Sequence, residues 1–242
     1  MKRLVILAAP RTGSNWLCTL LDSHPEILCH HEIFNPDGIH YSISHRNGAL
    51  DFGTVTERDA DVEAVLDRIW EQNLGSAVVG FKMTRGQSPV VLRRVLEDPE
   101  IRKIVVRRRN RVKTFVSEQV AAATGEWESY PDSPRSTQPI RVGVDADGLQ
   151  RHIAQNEQFY DEIDAVLQST RQEALSVTYE DLNADEERRR LLRFLDVEDM
   201  PLSGATRKQL SRNLRDVISN FDELAATLQN SELAAELHAP GL

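Results

Sequence analysis

The sequence predicts an α/β fold, a mainly parallel central sheet flanked by helices, on three observations. Short apolar runs alternate with longer amphipathic ones along the chain, the signature of strand–helix–strand units. The 242 residues are the length of one such domain, and no internal repeat breaks it up. The first apolar run stops at a small-residue turn and passes directly into a helix, as in P-loop-like phosphate-binding turns. Residues 1–242 are therefore expected to form a single domain.

The opening run, Arg3 to Ala9, is apolar on both faces and reads as a buried parallel strand. The turn Pro10-Arg11-Thr12-Gly13 leads into a helix from Ser14 to about Ser23, which Pro25 ends. From His30 to about Glu57 the chain is polar and without period, and so long an irregular stretch points to function. Val62, Val65, Leu66 and Ile69 share one face of a predicted helix over Asp59–Gln72. Ala77–Met83 is a second strand, Pro89–Glu97 a helix, Lys103–Val106 a third strand and Arg111–Ala123 a helix. Gly125–Gly148 carries three prolines among polar residues and reads as a mobile loop or lid. A long helix over Asp147–Ser169 precedes a fourth strand, Leu175–Thr178, and the remainder is helical, with final helices near Asp222–Leu228 and Ser231–Leu237.

Net charge is −9, which argues against nucleic acid as a partner and requires any anion site to be a local concentration of positive charge. The two cysteines, Cys18 and Cys29, are too few for a disulfide framework. Cys29 beside His30 and His31 suggests a metal, but zinc-type spacing and a fourth ligand are missing, so no metal is expected. The apolar run after Lys2-Arg3 ends at Pro10-Arg11, too early for a secretory signal, and no stretch has the length of a membrane span. A cytoplasmic protein without membrane insertion is the expectation; the sequence leaves oligomeric state open and admits a homodimer.

Two regions carry the chemistry. A strand–turn–helix at Pro10–Trp16 aims several backbone N–H groups and the positive end of a helix at one spot. Gly13 allows close backbone approach, Thr12, Ser14 and Asn15 offer side-chain hydrogen bonds, and Arg11 adds a forked cation. The pattern is not G-x-x-x-x-G-K-[ST], since no lysine follows Gly13. The bland alternative is an ordinary strand-to-helix turn with an exposed arginine. Further on, Arg102 to Lys113 holds seven basic residues in twelve around an apolar strand, and Arg107–Arg109 fall at its carboxyl end, where open α/β sheets place ligands. The alternatives are a solvated basic face or a nucleic-acid patch; the aromatic interleaving that single strands need is absent. Two such strand ends imply a ligand with two separated anionic groups, the layout of 3′-phosphoadenosine-5′-phosphosulfate (PAPS).

These residues resemble those of the PAPS-dependent sulfotransferases. Pro10-Arg11-Thr12-Gly13-Ser14 resembles the family's 5′-phosphosulfate loop. Arg109-Asn110 with Ser117 resembles its 3′-phosphate motif, and Tyr179-Glu180-Asp181-Leu182 ends a strand as in that family. Arg11, where many relatives carry lysine, and His31-Glu32-Ile33-Phe34 are similar to the bacterial carbohydrate branch, which includes trehalose 2-sulfotransferase and Nod-factor sulfotransferases.

The resemblance implies a transferase that moves a sulfuryl group from PAPS to an acceptor hydroxyl and releases PAP. It implies that Pro10 to Asn15 hold the 5′-phosphate, with Arg11 on the transferring group. It puts Arg109 and Ser117 on the 3′-phosphate and Trp16 and Tyr179 near adenine. Arg207 and Lys208, before the last helices, would belong to a closing basic loop whose usual glycine-rich form is missing. A carbohydrate hydroxyl is the acceptor class implied. The acceptor needs a general base. Glu32 is the first choice, its pKa expected to be raised by desolvation; His31 is the rival and His30 the third. Lys82, at a strand end, is a candidate for the acceptor or the sulfuryl oxygens, though lysines there are often merely solvated. Two other readings stay open. One is a P-loop-like kinase, which would want the lysine and an acidic Mg²⁺ ligand at the third strand's end. The other is a non-catalytic nucleotide-binding module.

Overall fold

The computed structural model describes residues 1–46, 48, 50–128, 140–205 and 213–240. Its five strands are β1 (Lys2–Ala8), β2 (Ile27–His30), β3 (Val78–Thr84), β4 (Ile101–Arg107) and β5 (Ala174–Thr178), in the order β2-β3-β1-β4-β5. Every strand pair is parallel. The helices are α1 (Ser14–Asp22), α2 (Val55–Ala60), α3 (Val62–Glu71), α4 (Pro89–Glu97), α5 (Arg111–Thr124), α6 (Ala146–Thr170), α7 (Asp185–Leu195), α8 (Leu214–Val217), α9 (Phe221–Leu228) and α10 (Leu233–His238). Short 3₁₀ turns cover Ile43–His45 and Tyr179–Asn183.

The α/β class and the parallel sheet agree with the sequence expectation. One strand had no counterpart in it. β2 is only four residues long and lacks alternation, because both of its faces are buried. It supplies His30, so the stretch expected to be irregular from that residue begins inside the sheet. The helix expected over Asp59–Gln72 is α3, and α2 before it begins within the stretch expected to be irregular. Thr54 caps α2 through a reciprocal capping box with Glu57, and Asp61 then breaks the backbone and caps α3 by accepting from the Ala64 N–H at 3.0 Å.

Contacts divide the chain into two compact units: Met1–Arg107 with Asp161–Gly204, and Arg108–Tyr160 with Ala205–Leu242. The first contains the whole sheet. β1 lies at its centre, and Leu4 to Ala9 are all completely buried. Leu17, Leu20 and Leu21 of α1 and Leu191, Leu192 and Leu195 of α7 pack in the same core cluster as Leu4 and Ile6. With β1 flanked by β3 and β4, the turn after β1 emerges near the strand ends where open parallel sheets hold ligands.

In the second unit Val112, Phe115 and Val116 of α5 share a core with Leu149 and Ile153 of α6 and with Leu224, Leu228, Leu233 and Leu237 of the last helices. The described end of the expected lid is anchored here rather than loose. Val142 pairs in parallel with Ile218, its N–H donating to the Val217 carbonyl at 2.9 Å. The remainder of that stretch, residues 129–139, lies outside the described residues. Glu236 of α10 reaches the start of α5, where its carboxylate accepts from the backbone N–H groups of Arg111 and Val112 and from the Arg111 guanidinium. A carboxylate satisfies orphan donors and favours the positive end of a helix dipole. Glu236→Ala is therefore expected to lower the unfolding free energy by about 1–3 kcal/mol, measured by urea denaturation.

Candidate functional site at the carboxyl end of the sheet

The turn after β1 has an alternating backbone. Arg11 at φ 62° and Gly13 at φ 88° are both left-handed, separated by Thr12, whose hydroxyl donates to the Ala9 carbonyl at 2.8 Å. Successive residues alternating in this way turn their N–H groups toward one concavity that suits an anion. A non-glycine residue held in the left-handed region is strained, and such strain collects at functional turns. Helix α1 then starts at Ser14 with no side-chain cap and no acidic residue in its first turn, so the chain puts no carboxylate of that turn on the positive helix end. Thr12 and Ser14 are buried, while Pro10, Arg11, Gly13 and Asn15 are half-buried.

Gly13 has a second constraint. A Cβ there would sit 2.1 Å from the Tyr179 ring, so this ring lies directly against the loop backbone. Tyr179 meets the Trp16 ring edge-on with centroids 5.9 Å apart. The Arg188 guanidinium lies 5.9 Å from the Trp16 centroid, and a Cβ on Gly204 would fall 2.2 Å from the indole nitrogen. Trp16 and Tyr179 are both half-buried beside the turn after β1, and Trp16 also packs against the core cluster that holds Leu17 and Leu20.

On the other side of α1, Lys82 of β3 joins the loop to the stretch after β2. Its ammonium is within 2.7 Å of Glu32 Oε1 and also donates to Asn15 Oδ1. Lys82 is 1% exposed, not a solvated strand-end lysine. The backbone supports the pairing, because the Lys82 N–H donates to the His31 carbonyl at 3.0 Å just past the β2–β3 ladder. Glu32 Oε2 accepts from Asn35 Nδ2 at 2.6 Å and from Gln87 Nε2 at 2.9 Å.

The expected rise in the Glu32 pKa is not found. Burial does push it up, but the Lys82 charge, hydrogen bonds from Lys82 and Asn35 and the charge of His40 outweigh burial and hold the carboxyl below its ordinary value. Glu32 is therefore an ionised carboxylate at neutral pH. It retains an opening to solvent, its side chain 20% exposed, whereas His31 is buried and His30 is completely buried. His30 Nδ1 accepts from the Ser42 N–H at 3.1 Å, and its ring stands edge-on to Phe52 and Tyr41. Burial, with the charges of His45 and His31, lowers its pKa to about 3.

Arg109 and Ser117 belong to the second unit. Arg109 is exposed two residues beyond the end of β4, and Ser117 is buried on α5. Asn110 caps α5 by accepting from the Lys113 N–H at 2.7 Å. Arg207 and Lys208 lie outside the described residues. Among the described residues, no three His, Cys, Asp or Glu side chains are grouped to hold a metal ion, and no helix is long and apolar enough to cross a membrane.

The first unit thus brings together the loop Pro10–Trp16, Tyr179, Lys82, His31 and Glu32. Three residues of this neighbourhood went unread in the sequence: Asn35, Gln87 and Arg58. Asn35 is three residues past Glu32 and Gln87 three past the end of β3, spacings that could have marked them. Nothing local marks Arg58, which reaches back from α2.

The chain also resembles proteins already known. Nodulation protein H of Rhizobium meliloti (strain 1021) is 25% identical to it over 236 residues, 95% of this chain and 92% of that protein. Among solved structures, the sulfotransferase from Alicyclobacillus acidocaldarius superposes with a TM-score of 0.49 at 16% identity, covering 98% of this chain and 96% of that one. Mouse sulfotransferase SULT7A1, complexed with PAP, gives 0.44 at 11% identity over 83% of this chain and 60% of its own. No family model matches.

The buried neutral His30 makes a prediction. In the unfolded chain this imidazole takes a proton near pH 6.5, but in the fold not until about pH 3. The unfolded state binds more protons in that window, so stability falls as pH drops through it, by up to about 1.4 kcal/mol per unit. His30→Gln should flatten this acid limb when melting is followed from neutral pH downward.

Proposed function

We propose that this protein is a PAPS-dependent sulfotransferase that moves a sulfuryl group onto a hydroxyl of a carbohydrate acceptor. The observation that carries the proposal is the chain Asn15–Lys82–Glu32, which ties an anion-binding helix start to an ionised carboxylate through one buried cation. A phosphate loop alone would serve many nucleotides. A loop coupled to a carboxylate base suits transfer of an anionic group to a hydroxyl. The similarity to nodulation protein H across nearly the whole chain supports the assignment.

In this assignment Pro10, Thr12, Gly13, Ser14 and Asn15 hold the 5′-phosphate through backbone and side-chain donors. Arg11 neutralises charge on the bridging oxygen as the leaving group departs. Trp16 and Tyr179 border the adenine. Arg109 and Ser117 take the 3′-phosphate, an assignment supported by their motif, and Arg207 and Lys208 join them by the same resemblance. His31 lines the acceptor side. Residues 1–242 then work as one catalytic domain.

Sulfuryl transfer resembles phosphoryl transfer, with in-line attack and charge spread over the equatorial oxygens, so positioning and electrostatics do most of the work. The acceptor oxygen forms a bond to sulfur while the bond from sulfur to the phosphate oxygen of PAPS breaks, releasing PAP. The hydroxyl proton goes to Glu32. A carboxylate held below its usual pKa is ready to accept a hydrogen bond but is a weak base. Lys82 resolves this. When its ammonium turns toward the sulfuryl oxygens, Glu32 loses part of the charge that depresses its pKa and becomes more basic as transfer proceeds.

Two measurements check the proposal. PAP at a hundredfold excess over its Kd should raise the melting temperature by roughly 5–10 °C, with smaller shifts for ATP and 5′-AMP, and Arg109→Ala should abolish the response. A shift with ATP but none with PAP overturns the assignment in favour of a kinase. With PAPS and a carbohydrate acceptor, Glu32→Gln should reduce kcat by about 100-fold or more and leave PAP binding intact.

A further inference from the structure

The carboxylate of Glu32 is held asymmetrically. Oε1 meets Lys82, while Oε2 takes both neutral donors, Asn35 Nδ2 and Gln87 Nε2. The Gln87 amide has its orientation forced: its NH₂ donates to Glu32 Oε2 and to Thr84 Oγ1 at 2.9 Å, and reversing it would set one oxygen against another. This orientation has a cost, because Gln87 Oε1 is buried with no partner among the described residues. A buried carbonyl is seldom left unpaired unless its other half is engaged for a purpose.

Asn35 is equally constrained. It lies in the tight turn after Glu32, where the Glu32 carbonyl accepts from the Asn35 and His40 N–H groups. The buried Arg58 guanidinium of α2 clamps that turn, one nitrogen donating to the carbonyls of Ile33 at 2.8 Å, Asn35 at 2.7 Å and Gly38 at 3.1 Å. The amide that meets Oε2 is therefore fixed from its backbone as well as by its hydrogen bond.

We infer that Asn35 and Gln87 are positioning residues for the general base: they lock Oε2 of Glu32, set the basicity of the carboxylate and direct Oε1 toward Lys82 and the phosphate helix. The inference rests on the sulfotransferase reading for its catalytic meaning, but its geometry can be tested without turnover. The charged groups facing the carboxylate are Lys82 on β3 and His40 on its own loop. Removing a neutral donor leaves both in place, so any change in titration comes from the lost hydrogen bond.

The test uses the full chain with ¹³C-labelled glutamate carboxyls, in wild type, Gln87→Met and Asn35→Ala; the second variant decides if the first fails to fold. The Glu32 carboxyl signal, assigned by its loss in Glu32→Gln, is followed against pH. Its midpoint is expected to rise in each variant, because each removes a hydrogen bond to the charged form, and the acid limb of kcat for sulfation should move up with it, with kcat reduced and KM for PAPS changed less than about twofold. The melting shift given by PAP should stay at its wild-type size. A Glu32 midpoint that does not move in a folded variant overturns the inference. If wild-type protein transfers no sulfuryl group, the sulfotransferase reading fails by itself, and the carboxyl titration still decides whether Asn35 and Gln87 govern Glu32.

Discussion

Lys82 is buried at the end of β3 with a carboxylate on one side and an amide oxygen on the other, and the site depends on that cation. Burying an ammonium is expensive, and a buried pair seldom adds net stability once desolvation is counted. What it gives is registry. Asn15 stands in the first turn of α1, and Glu32 stands two residues past β2. A one-residue slip of β3 against its neighbours would turn the Lys82 side chain to the opposite face of the sheet. Having β3 between β2 and β1 puts Lys82 within reach of both the stretch after β2 and the start of α1.

Net charge adds a second constraint. A protein at −9 repels a polyanionic nucleotide at long range, so attraction has to be built locally. The turn after β1 has a backbone geometry suited to this, two left-handed residues and a helix start without a side-chain cap. Elsewhere the chain covers helix starts with its own groups: Asn110 and Glu236 at α5, acidic residues in the first turn of α7. The contrast separates a helix end used for stability from one open to a ligand. Tyr179 explains how the turn keeps its shape, since its ring fills the space that any side chain at position 13 would need.

Much of this was legible in the sequence. The β1 turn was readable because Pro10-Arg11-Thr12-Gly13 stands between a wholly apolar run and a helical one, and a turn there has few other conformations. Glu32 was singled out only through the resemblance of His31-Glu32-Ile33-Phe34 to a family segment, and the structure puts it beside Lys82. β2 was not legible, because four residues buried on both faces carry no period. The acidity of Glu32 was read with the wrong sign for a related reason: burial was visible in the pattern, but the opposing ammonium comes from a strand fifty residues away in sequence. Arg58 and Gln87 were silent for the same cause. Their meaning lies in the carbonyls and the carboxylate they meet, which only the packing of α2 and of the turn after β3 brings to them.

The same packing bears on how a weak base could serve. Lys82 and two amides share the charge of Glu32, and the cation and the Asn35 amide help to hold its pKa below the ordinary value. Of its three partners, the two amides are anchored, one by the Arg58-clamped turn and one by Thr84, whereas Lys82 is shared with Asn15 of α1. An incoming anion beside Asn15 would compete for the shared partner and leave the anchored ones in place. Base strength would then rise only when the donor group is seated, and orientation would not be lost in the exchange. An apolar pocket around Glu32 would have raised its pKa permanently and left it protonated between turnovers. In the proposed reaction, a cation that shifts to the incoming anion would keep it ionised until then.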